Sequence, residues 1–377
     1  MTILVCVCAL LAAAAPCPGC FSFVVGKDAS ADGCVIVAHN EDDGPPQIVN
    51  HHKVPRRTHP RGATVKLRNG GAVEQVQQTW AYLWSEMPGM RFSDSYVNEW
   101  GVTVTSDNCP SREDKPEISE GGIGYMLRRL VAERAPTARE GVLLAGRLVE
   151  RFGYIDSGRQ WSGLTCVTER KIEPRPDLPF SVVPNRKLSV SDAMQILRHD
   201  KKNETPAVPP DSRLVCALCS GGTQTSFVTQ MRRDLRRDVG IVYWVCLASP
   251  RTSFYVPFHF GITDFPAGWR LESERPTRAY YDRKVQAPFA ANPLEAFWTF
   301  SNFRDRVAGK GHAAVKAARK RALDLERHAM ELQEPVEQAA RQLYETDRPA
   351  AARLLENYSK GVYLASLEAM GAILAEE

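Results

Sequence analysis

Two apolar runs flank a turn-rich segment near the start of the chain. From Cys20 to Asp42 the sequence reads CFSFVVGKDASADGCVIVAHNED, and Asp32-Gly33 between the runs is a strong hairpin signal, so paired antiparallel strands are predicted. Strand-like runs follow at Trp80 to Trp84 and Gly101 to Thr105, while the polar stretch from Gly44 to Arg61, rich in proline and arginine, reads as loop. The period then changes. Ile123, Leu127, Leu130 and Val131 recur at helical spacing, and a second helix starts at Thr137, with Glu140 three residues on as in a capping box, and ends at Gly153. No period is legible from Gln160 to Pro184, and a short helix begins near Ser189 and runs through Ile196 and Leu197. Val239 to Leu247 is a continuous apolar run, as in a fully buried strand, and Phe254, Val256, Phe258 and Phe260 alternate as if one face were buried. The C-terminal third reads as helical: Ala308 to Glu334 is rich in Ala, Lys, Arg and Glu, and a last helix sets Leu354, Leu355, Tyr358 and Val362 on one side.

Strands first, then helices, then strands and helices again fit an α+β layered domain better than a βαβ repeat. There is no internal repeat and no glycine-rich phosphate loop. Gly19, Gly26 and Gly33 are too widely spaced for a dinucleotide fingerprint, and neither a nucleophile elbow nor a paired-histidine zinc motif is present.

Composition adds a size and excludes some partners. A chain of 377 residues, 44% of them hydrophobic, suffices for one large domain or two modest ones. A net charge of +4 from 48 basic and 44 acidic residues is too balanced for a nucleic-acid binder, which leaves small substrates as the expectation. The basic run Lys316 to Arg321 is soon offset by Asp324, Glu326 and Glu331 and reads as a solvated helix face. Ile3 to Ala15 is apolar and is followed by Pro16, Cys17, Pro18 and Gly19, as in a secretory leader. That run falls short of the roughly 20 residues a membrane-spanning helix needs, so no membrane anchor is expected. Residues 1–19 are therefore expected to be a signal peptide or propeptide of a secreted or periplasmic protein; a cytoplasmic location is the alternative, since only Met1 and Thr2 precede the run.

Of ten cysteines, Cys6, Cys8 and Cys17 lie in this leader, leaving seven, an odd number that keeps at least one thiol unpaired within the chain. Cys216-x-x-Cys219 has no second pair or histidine at ligand spacing, so neither a metal nor another cofactor is expected. The segment Cys20 to Asp42 gathers a thiol, a histidine, an amide and two acids on one hairpin. Strand alternation puts His39 and Glu41 on one face and Asn40 and Asp42 on the other. A cysteine beside His39 or Asp42 could be a nucleophile; the residues alone favour a core cysteine or a half-cystine.

Beyond these residues lies a resemblance. Cys20, Val25-Gly26-Lys27, Ala29-Ser30, Asp32-Gly33 and Ala38 to Asp42 resemble the start of the mature dipeptidase A and secernin group of cysteine peptidases, whose processed chains begin with a cysteine. Trp84 to Met90, Ser93 to Tyr96, Asn98-Glu99, Thr105 to Asp114, Leu188 to Arg198, Thr225 to Val228, Val242 to Trp244 and the helices from Ala296 extend the likeness over most of the chain. The resemblance implies a four-layer α/β/β/α sandwich of the N-terminal-nucleophile (Ntn) hydrolase type over residues 20–377, with a helical part from about residue 290. It also implies hydrolysis of a small peptide through a Cys20 thioester. An N-terminal cysteine carries its own base, because an α-amine with a reference pKa of about 7.7 to 8.0 can take the thiol proton. Asp42 would hold an ammonium, and His39 stands where relatives commonly have arginine or lysine. Asn108, ten residues after Asn98, would supply an oxyanion-hole amide. Between Arg159 and Pro179 the family has much more chain, including a further active-site asparagine, so part of the central sheet is expected to be missing. Asn185 does not match that asparagine, and the arginine that some relatives place near Ser226 is absent. Two rival readings follow: hydrolysis of a non-peptide amide, or a catalytically impaired relative that binds peptides. Oligomeric state is not legible.

Overall fold

The computed structural model describes residues 20–42, 49–67, 70–86, 95–105, 107, 118–124, 126–153, 182–200, 218–270 and 295–375. The leader, Asn108, Cys216 and the stretch from Arg159 to Pro179 lie outside them. In chain order the strands are β1 (Phe21–Val25), β2 (Val35–Asp42), β3 (Asn50–Val54), β4 (Arg57–Thr58), β5 (Thr64–Lys66), β6 (Ala72–Glu74), β7 (Gln78–Thr79), β8 (Tyr82–Glu86), β9 (Ser95–Asn98), β10 (Thr103–Val104), β11 (Thr223–Met231), β12 (Ile241–Leu247) and β13 (Val256–His259). The helices are α1 (Met126–Arg134), α2 (Ala138–Phe152), α3 (Val190–Leu197), the single turn α4 (Arg237–Gly240), α5 (Ala296–Lys310), α6 (His312–Thr346) and α7 (Arg348–Ala375).

β1 and β2 form the expected hairpin, turned at Gly33, whose φ of 72° suits a residue without Cβ. The hairpin is the edge of a five-stranded antiparallel sheet in the order β1-β2-β11-β12-β13. A second antiparallel sheet runs β10-β9-β8-β3. The rings of Phe227 and Tyr243 of the first sheet lie 5.1 Å apart in a tilted contact, and Tyr243 lies 6.2 Å from the ring of His51 on β3, so these side chains fill the space between sheets. Leu83 and Val97 of the second sheet join the same apolar core. On the other face of the second sheet, Tyr82, Trp84 and Tyr96 pack with Ala132 of α1. α3 packs on β2 and β11, and α7 on β13, with Ala318, Ala322 and Ala329 of α6 completing the core.

The helix signals were well placed. Thr137 caps α2 by accepting from Glu140 N, and Ser189 and Asp192 form a reciprocal capping box on α3. Lys316, Lys320 and Arg321 are exposed, so most of the basic run is a solvated face, whereas Arg319 is part-buried and donates to Gln195 Oε1 at 3.5 Å. The strand readings need correction at several points. β3 lies inside the stretch read as loop, because NHHKV carries its strand signal in buried histidine and asparagine and not in aliphatic residues. The Val239 run begins with the turn α4 and becomes strand only at Ile241. β13 is buried on both faces, not one, because α7 covers it.

His51 makes the fold sensitive to acid. Its ring is fully buried among Tyr243, Phe265 and Trp269, and neither ring nitrogen has a hydrogen-bond partner. Burial, with a smaller contribution from His52, lowers its pKa to about 3. Because the folded value lies below the unfolded value of about 6.5, the unfolded chain takes the proton first. Stability is therefore fully present above about pH 6.5 and is lost as the pH falls toward 3. At about pH 5 the loss from one such histidine is about 2 kcal/mol. His51→Phe should flatten that part of the urea midpoint's dependence on pH between about 7 and 5. An unchanged slope would show that other groups control it.

Candidate active site

Cys20 stands one residue ahead of β1, and the β1–β2 register, in which Phe21 faces Asn40 and Ser22 faces His39, carries it opposite Glu41. Pleating puts Cys20, Ser22, His39 and Glu41 on one face. The Cys20 Sγ–H donates to Glu41 Oε1 at 3.3 Å. The other carboxylate oxygen, Glu41 Oε2, accepts from His39 Nε2 at 2.9 Å. His39 Nδ1 lies 2.8 Å from Ser22 Oγ and 3.7 Å from Asp107 Oδ1. Cys20 is 8% exposed and His39 fully buried, with its ring 5.4 Å from that of Phe227. In a dry setting these polar contacts are stronger than they would be in water.

Asp42 points its carboxylate differently: Oδ1 accepts from Thr223 Oγ1 at 2.5 Å, and its main-chain oxygen lies 3.6 Å from Cys20 Sγ. Asn40 takes the opposite face from His39, where its amide donates to Leu197 O at 2.8 Å and Leu218 O at 2.6 Å, tying β2 to the end of α3. The structure thus brings together the sequence candidates Cys20 and His39 through Glu41, and holds Asp42 at the same strand end through its backbone. Asn108 lies outside the described residues, although its neighbour Asp107 reaches the site. Ser22 and Asp107 were not singled out from the sequence, and Glu41 was placed beside His39 without a role. Strand parity was the available signal for Glu41, since it pairs the residue with His39.

A buried polar chain supports His39 from behind. Ser226 Oγ donates to His39 O at 3.2 Å and meets Tyr255 Oη at 2.6 Å, while Tyr255 N donates to Glu326 Oε1 at 2.8 Å. Glu326 on α6 is gripped by both terminal nitrogens of Arg198, at 2.5 and 2.8 Å.

The other described cysteines, Cys34, Cys219 and Cys246, are free and buried. Burial, then Asp32, pushes the Cys34 thiol up to about 12. Burial raises Cys219 to about 11, and it also raises Cys246. They remain protonated near neutral pH and offer no rival nucleophile. Cys20 Sγ and ligand atoms of His39 and Glu41 all lie within 4.8 Å of one another, a donor set of thiol, imidazole and carboxylate of the kind that holds a zinc-class ion.

The sequence matches the family model described as peptidase family C69 in two segments, residues 19–163 and 157–292. The first begins one residue before Cys20. Similar proteins include a dipeptidase of Bifidobacterium longum, 28% identical over 203 residues, which covers 44% of this chain and 37% of the relative. A probable dipeptidase B of Streptococcus pyogenes serotype M1 is 26% identical over 145 residues, or 36% of this chain and 29% of its own length. A probable dipeptidase of Latilactobacillus sakei is 27% identical over 154 residues, 38% of this chain and 32% of the relative. The matches therefore span well under half the length of these relatives.

Proposed function

Because the chain belongs to peptidase family C69, we propose that it is a cysteine-type dipeptidase whose nucleophile is Cys20 at the amino terminus of a processed chain. The observation that carries this reading is the convergence of Cys20 Sγ, Glu41 and His39 at one end of the β1–β2 hairpin. The start of the family match next to Cys20 supports it. Two sheets packed face to face, with α1 on the outer side of one and α3 on the side of the other that bears Asn40, support an α/β/β/α sandwich of the Ntn-hydrolase type.

In this mechanism removal of residues 1–19 turns the Cys20 amide into a basic amine. The amine takes the thiol proton, and Sγ attacks the carbonyl carbon of the peptide. The C–N bond breaks as the departing amine takes that proton, leaving a thioester on Cys20. Water then adds to the thioester, releasing the acid and restoring the thiol. Glu41 holds the sulfur in place, and His39, fixed between Ser22 and Glu41, holds the carboxylate. Asp42 steadies the ammonium of Cys20 or of the substrate, and Asn108 donates to the developing oxyanion. Asn108→Ala is expected to lower kcat about 10² to 10³-fold with little change in the unfolding midpoint; an unaltered kcat would remove Asn108 from the site.

The apolar run in residues 1–19 supports a secreted or periplasmic location. Among the described residues no helix is long and apolar enough to cross a membrane. The test is N-terminal sequencing of the expressed protein together with turnover of a dipeptide panel. A chain that begins at Cys20 and releases amino acids supports the reading; an intact or differently trimmed terminus with no turnover sinks it. The rival, an impaired peptide binder, draws on one observation: the family match is broken into two segments that overlap at residues 157–163, beside the stretch where the resemblance implies that the family has more chain. Dipeptide binding without turnover would favour it.

A further inference from the structure

We propose that Cys20, His39 and Glu41 form a binding site for a zinc-class divalent cation, and that its occupation blocks the peptidase. The blocking half rests on the function proposed above; the site itself rests on geometry alone.

Three donors of different chemistry converge, and all three residues are buried. Around a tetrahedral zinc with bonds of about 2.0 to 2.3 Å, neighbouring ligand atoms lie about 3.3 to 3.8 Å apart. Here Sγ and Glu41 Oε1 are 3.3 Å apart, and His39 Nε2 and Glu41 Oε2 are 2.9 Å apart. Ligand atoms already within 4.8 Å need only small side-chain rotations to enclose an ion. The far nitrogen of the imidazole is anchored as in metal-binding histidines, with Ser22 Oγ at 2.8 Å from Nδ1 and Asp107 beyond it. That anchor aims Nε2 at the cluster. A thiolate, an imidazole and one carboxylate suit zinc and its neighbours, whereas calcium and magnesium require more oxygen ligands than this site offers. Among the described residues no fourth donor joins these three, so the remaining position would fall to water or, in a chain that begins at Cys20, to the α-amine of the same residue.

Binding is ligand exchange without redox change. The Cys20 S–H bond breaks, its proton passes to solvent, and an Sγ–metal bond forms. The sulfur lone pair that would attack a peptide carbonyl is then engaged; the imidazole–carboxylate bond opens, the ring exchanges its Nε2 proton through solvent for one on Nδ1 that faces Ser22 Oγ, and the freed Nε2 lone pair turns to the ion. Catalysis and metal binding therefore compete for the same sulfur.

The experiment uses the full expressed chain. Zinc is titrated in a metal buffer and the bound metal counted, and cobalt(II) is added separately to read thiolate-to-cobalt charge-transfer absorption. The expected result is one equivalent of zinc and a cobalt–thiolate band. Both should be lost in Cys20→Ala, and zinc affinity should fall at least tenfold in His39→Ala and in Glu41→Gln. Dipeptide hydrolysis should fall in proportion to the bound zinc and return on chelation. No cobalt–thiolate band in the wild-type chain overturns the site without recourse to any variant. So does zinc binding that survives Cys20→Ala, which would place the metal elsewhere. Hydrolysis undiminished at full zinc occupancy overturns the block. A chain that holds zinc through these residues but cleaves no peptide leaves the site standing and removes the proposed function, so the two can fail separately.

Discussion

Cys20→Ala should abolish dipeptide hydrolysis, lowering kcat by about 10⁴-fold or more, as loss of a covalent nucleophile does elsewhere. The substitution removes one sulfur atom, and Glu41 keeps its bond to His39, so the unfolding midpoint should move little. Cys20→Ser is the sharper partner experiment. It keeps the α-amine and a donor for Glu41 but replaces a thiol by a hydroxyl of far higher pKa, so residual turnover below that of the wild type and above that of alanine is expected. Cys34→Ala supplies the contrast: burial holds that thiol protonated, and its loss should leave kcat within about twofold. Turnover retained in Cys20→Ala at more than a tenth of the wild-type rate would end the case for Cys20.

Glu326→Leu is expected to cost about 3 to 5 kcal/mol of stability, because it leaves Arg198 charged and unpaired in the core. Arg198 is wholly buried and also donates to Pro250 O and Ser253 O, so it cannot swing to solvent. Pairing with Glu326 outweighs its burial and keeps it charged at any accessible pH. The double variant Arg198→Met/Glu326→Leu should regain much of the loss, since two apolar side chains of similar volume restore packing without a stranded charge. Chemical denaturation measures both. A single-variant cost under about 1 kcal/mol would mean that water reaches the guanidinium. Glu326 also fixes Tyr255, which fixes Ser226, which bonds the carbonyl of His39. A fall in kcat at full folding in Tyr255→Phe would show that this chain positions the histidine as well as filling the core.

Legibility followed the kind of signal each residue carried. Helix starts at Thr137 and Ser189 were readable because caps are local: a side chain satisfies a backbone N–H three residues away. β11 was missed as an element. Its sequence TQTSFVTQM is polar, yet all but its last residue is buried, since partners distant in sequence satisfy it: Tyr255 and the His39 carbonyl for Ser226, Cys246 O for Thr225 and Asp32 for Gln230. β3 hid for the same reason, its histidines packing on aromatic rings of other strands. Within the site, Cys20 stood out through the density of matching residues around it, and the face shared by His39 and Glu41 followed from parity. That Glu41 bridges the thiol and the imidazole could not be read, because it depends on the register between two strands. Asp107 reaches His39 from a separate part of the chain, which no local pattern encodes.

The edge position of β1 gives the proposed cleavage ahead of Cys20 a meaning of its own. Among the described residues the ladder partners of β1 lie in β2, downstream in the chain, so the β1–β2 rungs belong entirely to the part of the chain that follows Cys20. Where the cut falls nevertheless acts as an odd-or-even code. A terminus trimmed one residue too far would begin at Phe21 and turn its first side chain away from His39. Two residues too far would begin at Ser22 and return a hydroxyl to the histidine's face. Under the processing proposed above, fidelity would be a matter of strand phase, and a chain trimmed one residue too far is expected to lose more turnover than one trimmed two too far.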